Sequence, residues 1–147
     1  MLLRILPWSL LLLFFACEHT PREPSLVGSW INSSMRVEVN ADSAYVFEAD
    51  ESNWEERLGM QPIRTYFRPD STYLAEYRGP GGEVINRSAG RWWTQSDTLT
   101  MQQSIPDRIE YVCLWKIEGS KAILEMLVDW DGDGREDDRY IMVQRRQ

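Results

Sequence analysis

From about residue 26 onward, apolar and polar positions alternate with a period of two, the pattern of strands that turn one face inward. Met35, Val37 and Val39 alternate with Arg36, Glu38 and Asn40. Asn40-Ala41-Asp42-Ser43 then supplies turn chemistry, and residues 44–49 resume as a strand. Residues 63–68 and 72–78 read as strands on either side of the turn triplet Pro69-Asp70-Ser71. Gly79-Pro80-Gly81-Gly82 cannot continue a ladder and marks a loop. A short strand at 84–86 follows, then a tight hairpin of 89–95 with 98–103. In the C-terminal third, Ile109, Tyr111, Cys113, Trp115 and Ile117 share one face of a long strand. Gly119-Ser120 turns the chain into a second strand, where Ala122, Leu124, Met126, Val128 and Trp130 share a face. A last strand spans 139–145, and only residues 50–60 look helical.

The count comes to roughly eight to ten short strands at about 8–12-residue spacing. It predicts an all-β fold, an antiparallel meander closed as a β-barrel with at most one short helix. Closure would also remove exposed strand edges. Some strands carry apolar residues on both faces, such as Val112 and Leu114, or Ile123 and Leu127. Either that second face meets other elements or the outside of the barrel is partly apolar.

Three motifs, in order along the chain, resemble those of a known group. Leu26-Val27-Gly28-Ser29-Trp30 is similar to the Gly-x-Trp opening strand of lipocalin-like domains. Tyr66-Phe67-Arg68-Pro69-Asp70-Ser71-Thr72-Tyr73 resembles a hairpin of the small lipocalin-like lipoproteins common in Bacteroidetes, with Ser71 where that group usually has Gly. Gly90-Arg91-Trp92 followed by Asp97-Thr98-Leu99-Thr100-Met101 resembles a second hairpin of that group. The resemblance covers most of residues 26–144 and implies a calycin-type, lipocalin-like barrel that is exported and lipid-anchored. It implies no particular ligand. A barrel of this size holds either packed side chains or one small ligand. Tyr73, Tyr77, Trp92, Tyr111 and Trp115 fall on single strand faces and are the candidate ligand-binding residues. The same aromatics could instead fill the barrel, and Trp30 reads as a structural plug.

The N-terminus gives an address. Residues 1–16 place Arg4 ahead of an apolar run from Trp8 to Phe15, with Ala16 before Cys17. This is a basic n-region, an apolar h-region of roughly 7–15 residues and a small residue at the cut. With cysteine next, it resembles a bacterial lipoprotein signal, whose cysteine is diacylated. A spanning helix needs about 20 apolar residues, more than this run supplies. The expected organisation is therefore a signal peptide at 1–16, lipidated Cys17 with a flexible tether over 17–25, and the barrel domain at 26–147. The membrane is the expected partner through this anchor. The expected location is the bacterial outer membrane, with the periplasmic and cell-surface faces both open.

Composition narrows the partners. Losing Arg4 with the leader leaves 15 basic against 23 acidic residues, a balance of −8. Such a domain repels nucleic acid, so no nucleic-acid partner is expected. With Cys17 acylated, Cys113 is the one remaining cysteine, so no intramolecular disulfide can form and a buried thiol is expected. The domain is large enough to bury about two-thirds of its unfolded surface and is expected to be a monomer.

Two kinds of chemistry bear on the domain, metal binding and catalysis. Asp129-Trp130-Asp131-Gly132-Asp133-Gly134-Arg135-Glu136-Asp137-Asp138 places Asp at positions 1, 3, 5 and 9 of a calcium loop, with Gly at 6. Ca²⁺ is thus the candidate cofactor, held by Asp129, Asp131, Asp133, the Arg135 carbonyl and Asp137. Tyr140 stands where the bidentate Glu belongs, so Asp138 or another carboxylate would have to complete the set. Asp and Gly are also ordinary hairpin residues, and a plain turn explains them too. Catalysis finds no such foothold. The one histidine, His19, sits in the tether, which removes Ser-His and Cys-His nucleophile systems, and no catalytic residues are assigned. The expectation is a lipid-anchored cell-envelope protein, not an enzyme, that binds a small, apolar ligand. The alternative is a non-catalytic envelope interaction or structural protein with a calcium-binding Asp-rich hairpin loop.

Overall fold

The computed structural model describes residues 25–147. The leader, the expected acylation site Cys17, His19 and the tether through Pro24 lie outside the described residues. Nine strands and one short helix follow in order: β1 (Gly28–Val39), β2 (Tyr45–Asp50), α1 (Trp54–Leu58), β3 (Arg64–Phe67), β4 (Thr72–Arg78), β5 (Val84–Gln95), β6 (Thr98–Ile105), β7 (Ile109–Glu118), β8 (Lys121–Val128) and β9 (Asp138–Arg146). All pairings are antiparallel, in the order β2-β1-β3-β4-β5-β6-β7-β8-β9, and β9 returns to pair with β1. Eight strands thereby close a lipocalin-like barrel, with β2 laid beside the far half of β1. Residues 84–95, read as two pieces, form one strand whose register slips at Ala89/Gly90. Among the described residues no helix is long and apolar enough to cross a membrane.

β1 is the strand on which closure turns. Its first four residues pair with β3, its last six with β2, and nearly its whole length with β9. A bulge lies between Asn32 and Ser34, where two residues of β1 advance against one of β9. Such a bulge bends the strand and reverses its inward positions. Trp30 and Asn32 are buried before it, and Met35, Val37 and Val39 after it. The sequence pattern of alternating 35, 37 and 39 is therefore retained, but out of phase with Trp30.

The interior is filled in two places. At the end where β1 begins, Leu26, Trp30, Phe67, Leu99, Cys113, Ala122 and Leu124 form a buried cluster, flanked by Trp92 and Trp115. Trp30 is fully buried and donates its Nε1–H to the Leu26 carbonyl at 2.6 Å. The Arg146 guanidinium lies 4.3 Å over the Trp30 ring and donates to the Val27 and Ser25 carbonyls. Gly28, at φ 138°, has no Cβ to block it; one there would sit 2.6 Å from Arg146 Nη1. Cation and ring together pin the end of β9 to the start of β1 across the base, so Trp30 is the plug the sequence predicts. A second cluster, Met35, Val37, Val39, Ala49 and Trp54, packs where β2 and α1 cover the far half of β1. α1 is only five residues long and ends on Gly59 in the left-handed region, φ 67°. On the outside, Val112, Leu114 and Leu127 are more than half exposed, so the outer surface of the barrel is partly apolar.

Ser71, in a turn, and Gly90, within β5, make opposite demands. Ser71 adopts the left-handed region at φ 64°, while the Asp70 carboxylate accepts from the Thr72 N–H and hydroxyl. Gly90 sits at the register slip, where a Cβ would run into the backbone of Gln102. An L-residue in the left-handed region pays roughly 1–2 kcal/mol, part of which glycine gives back in chain entropy. Ser71→Gly is expected to raise stability by about 0.5–1 kcal/mol, and Gly90→Ala to lower it by about 1–3 kcal/mol. Urea unfolding of the two variants beside the parent checks both signs.

Candidate functional site

Above the aromatic base the strands carry smaller and more flexible side chains, and a cavity of about 270 Å³ remains. Its apolar wall is Ala75, Met101, Cys113, Leu124, Met126 and Met142. Three methionines give that wall unbranched side chains that adapt to irregular shapes. Tyr73, Tyr77, Tyr111 and Tyr140 also line it. The cavity reaches the end of the barrel where Trp130 stands, 37% exposed.

Of the five aromatics expected to line a site, Tyr73, Tyr77 and Tyr111 do so. Trp92 and Trp115 belong to the packed base instead. Trp92 packs edge-on against Phe67 at 5.2 Å and donates to the Thr72 carbonyl, and Trp115 donates to the Ser96 carbonyl. Both indoles are thus tied to turns at the closed end.

The cavity also has polar lining residues that the sequence reading passed over, Asn32, Thr65, Ser88 and Gln103, and Gln144 is buried against two of them. Gln144 donates to Asn32 Oδ1 at 2.9 Å and to the Thr65 hydroxyl at 3.2 Å. All three residues are buried. Asn32 Nδ2, Gln144 Oε1 and the Tyr73 hydroxyl are buried without a partner at hydrogen-bond geometry. Gln103 donates to the Asp107 carbonyl. The period-two pattern did carry a signal: Asn32 is two residues from Trp30, and Gln144 is two from Met142. Their amides would have to face inward with the aromatic and the thioether.

Burial sets the protonation of the lining. It pushes the Tyr73 hydroxyl up to about 12 against the weaker opposite pull of Ser88, and it raises Tyr111 and Tyr140 as well. These phenols are neutral at physiological pH. Burial also pushes the Cys113 thiol up to about 12, so it is a protonated hydrophobe rather than a nucleophile. Asp129, at the rim, is the one charged residue among those lining the cavity.

The acidic loop crosses this rim. Asp138 is fully buried and anchors it: one carboxylate oxygen accepts from the Asn40 N–H at 2.8 Å, the other from Trp130 N–H at 2.7 Å and Asp131 N–H at 3.3 Å. These backbone donors, Asn40 first, hold the Asp138 carboxyl below the usual carboxylate range. Asp129 accepts from Gly134, Asp131 from Asp133, and Asp133 from Arg135. The carboxylates that converge, within 4.8 Å of one another, are Asp129, Asp131 and Asp138. Asp129 and Asp131 belong to the set expected from spacing, and Asp138 is the carboxylate expected to complete it. The Asp133 carboxylate turns to the Arg135 N–H and guanidinium, and Asp137 accepts from the Asn40 side chain. Above the loop's base the Trp130 ring meets Phe47 at 5.4 Å and Tyr140 at 6.3 Å.

Asp138 ties the β8–β9 loop to the β1–β2 turn, so its charge is a stability device. A carboxyl whose folded pKa is depressed stabilises above its unfolded value, about 3.9, and that stability is lost as pH falls through the lower folded pKa. Asp138→Asn is expected to lower Tm at pH 7, with the gap to the parent narrowing steadily below about pH 4. Thermal melts of both proteins across the acid range measure that gap, and a gap independent of pH would contradict the assignment.

No protein-family model matches the chain, and a search of curated proteins finds no match to it.

Proposed function

We propose that this chain is a lipid-anchored, cell-envelope lipocalin-like protein that takes a small, largely apolar ligand into its barrel. The single observation that carries the binding half is the cavity of about 270 Å³ above a fully packed base. A barrel evolved only for stability would close that space, because unfilled volume lined by buried side chains costs stability. The anchoring half rests on the leader and Cys17, and on the resemblance of the three motifs to lipocalin-like lipoproteins. A binder rather than an enzyme is favoured by the chemistry of the lining: neutral phenols, amides, thioethers and a thiol held protonated by burial.

Binding is tested by titrating the neutral fluorescent probe N-phenylnaphthylamine. The expected result is saturable, one-to-one binding that Met126→Trp, which fills the cavity, weakens at least about tenfold while the fold survives. Unsaturable partitioning, equal in parent and variant, would sink the cavity reading. The anchor has its own test. Cys17→Ser is expected to move the protein from the membrane fraction to the soluble fraction, with loss of the acyl mass from the mature N-terminus.

A second reading, a non-catalytic envelope interaction protein with a calcium-stiffened loop, is favoured by the convergence of Asp129, Asp131 and Asp138. Its affinity would fall in the weak range of extracellular sites, about 10⁻⁴–10⁻³ M. Under it, millimolar-range Ca²⁺ raises Tm and Asp129→Asn removes the rise. A Tm indifferent to Ca²⁺ and to chelator leaves the loop as a hydrogen-bonded turn.

A further inference from the structure

We infer that the outer flank of β7, β8 and β9 is a docking face for the lipid bilayer that holds the anchor, so that the barrel lies on its side against the membrane. This rests on the anchoring reading above and adds which part of the fold meets the lipid. Val112 and Leu114 on β7 and Leu127 on β8 are each more than half exposed and border one shallow groove. Ile123 and Val143, paired across β8 and β9, continue the apolar surface, half-buried, toward the closed end. No element of the described residues covers the three exposed side chains. Apolar residues exposed singly are ordinary, whereas neighbours that share one face mark a surface that meets another apolar phase. Trp93 stands at the margin, paired with Thr100, which pairs with Val112, and an exposed indole suits the level of the headgroups.

The place where the chain enters the fold selects lipid as the occupant. Arg146 donates to the Ser25 carbonyl at 2.8 Å through its side chain, and to the Ser120 carbonyl at 2.9 Å through its backbone N–H. Ser25 therefore sits beside the β7–β8 turn, at the foot of this same flank. From Cys17 to Ser25 the chain spans at most about 28 Å. That is close to the length of β8, about 26 Å for its 8 residues. An acylated Cys17 thus keeps the whole flank within reach of the bilayer at a high effective concentration, and the contact needs little affinity of its own. Charge agrees with lipid. Glu125, opposite Leu114, is held by Arg139 at 2.7 and 3.0 Å, and Glu118 pairs with Lys116. The acidic loop begins only beyond the end of β8.

The test uses the acylated protein carrying Leu127→Cys, labelled there with the environment-sensitive fluorophore NBD and reconstituted into phosphatidylcholine vesicles. Cys113 is buried and Cys17 acylated, so neither takes the label. The same label at Glu56→Cys, on the exposed side of α1, is the control. Phosphatidylcholine with a spin label on its acyl chain is expected to quench the fluorophore at position 127 and not that at position 56. Leu114→Asp is expected to cut that quenching at least about threefold, because a carboxylate resists burial among acyl chains, while the protein stays on the vesicles. Leu114→Ser, a milder change at the same exposed position, keeps the test open if Leu114→Asp fails to fold. Equal quenching at the two sites, quenching at neither, or quenching that both Leu114 variants leave unaltered overturns the proposal, with the anchor still standing. So does a dimer in detergent that Leu114→Asp splits, with position 127 unquenched on vesicles, since a second copy then covers the flank. Protein that lacks the acyl mass and leaves the vesicles overturns the anchoring reading, and this proposal with it.

Discussion

The barrel depends on β1 serving three partners at once. A strand in a regular sheet has two neighbours, and β1 manages a third because β3 and β2 divide one edge between them while β9 takes the other. The bulge at Asn32–Ser34 makes this possible by bending the strand and shifting its inward positions by one. Before the bulge β1 feeds the aromatic base with Trp30, and after it β1 feeds the second cluster with Met35, Val37 and Val39. Asn32 lies at the change of phase. The geometry that closes the barrel is thus the geometry that turns an amide, rather than an apolar side chain, toward the cavity.

That placement makes the chamber different from the core beneath it. The base is apolar, largely aromatic and held by Arg146 across Trp30. One layer higher, Gln144 crosses from β9 to bind Asn32 and Thr65, and leaves Asn32 Nδ2 and its own Oε1 buried without partners. A polar network that satisfies all its members rigidifies a core, whereas one left short is a cost the fold bears unless something else completes it. The contrast between the closed base and the incomplete layer above it sets the packed core apart from the layer that the proposed function uses.

The architecture was legible because it depends on period and turn chemistry, both local. The strands of the C-terminal third, the hairpin at Ser96-Asp97 and the Gly-rich interruption after β4 are each carried by a few adjacent residues, and all appear in the fold. Ser71 shows where local reading strains: the turn keeps its place with a serine in a glycine conformation, helped by Asp70. The site was legible only in part. Strand parity put Tyr73, Tyr77 and Tyr111 on inward faces, but it places Trp92 and Trp115 inward too and says nothing of height along the barrel axis. Height follows from register and shear, which a single strand does not encode. The calcium-loop spacing is met in part: Asp129 and Asp131 converge with Asp138, the carboxylate named to complete the set. A loop template assumes that carboxylates turn inward to an ion, while here Asp133 and Asp137 find backbone, guanidinium and amide partners nearer at hand.

The acidic loop and the neutral cavity are parts of one electrostatic arrangement. Asp138 spends its charge on three backbone donors and so fixes where the loop leaves β8 and enters β9. That fixes Trp130 against Phe47 and Tyr140 at the mouth, and sets Asp129 on the rim. The domain is acidic overall, so its field adds to the rim carboxylate rather than opposing it. On the proposed binding function, an anion would meet repulsion at this rim, whereas a neutral molecule would not. On that proposal, selection by charge would act at the entrance, before any contact with the neutral lining of the chamber.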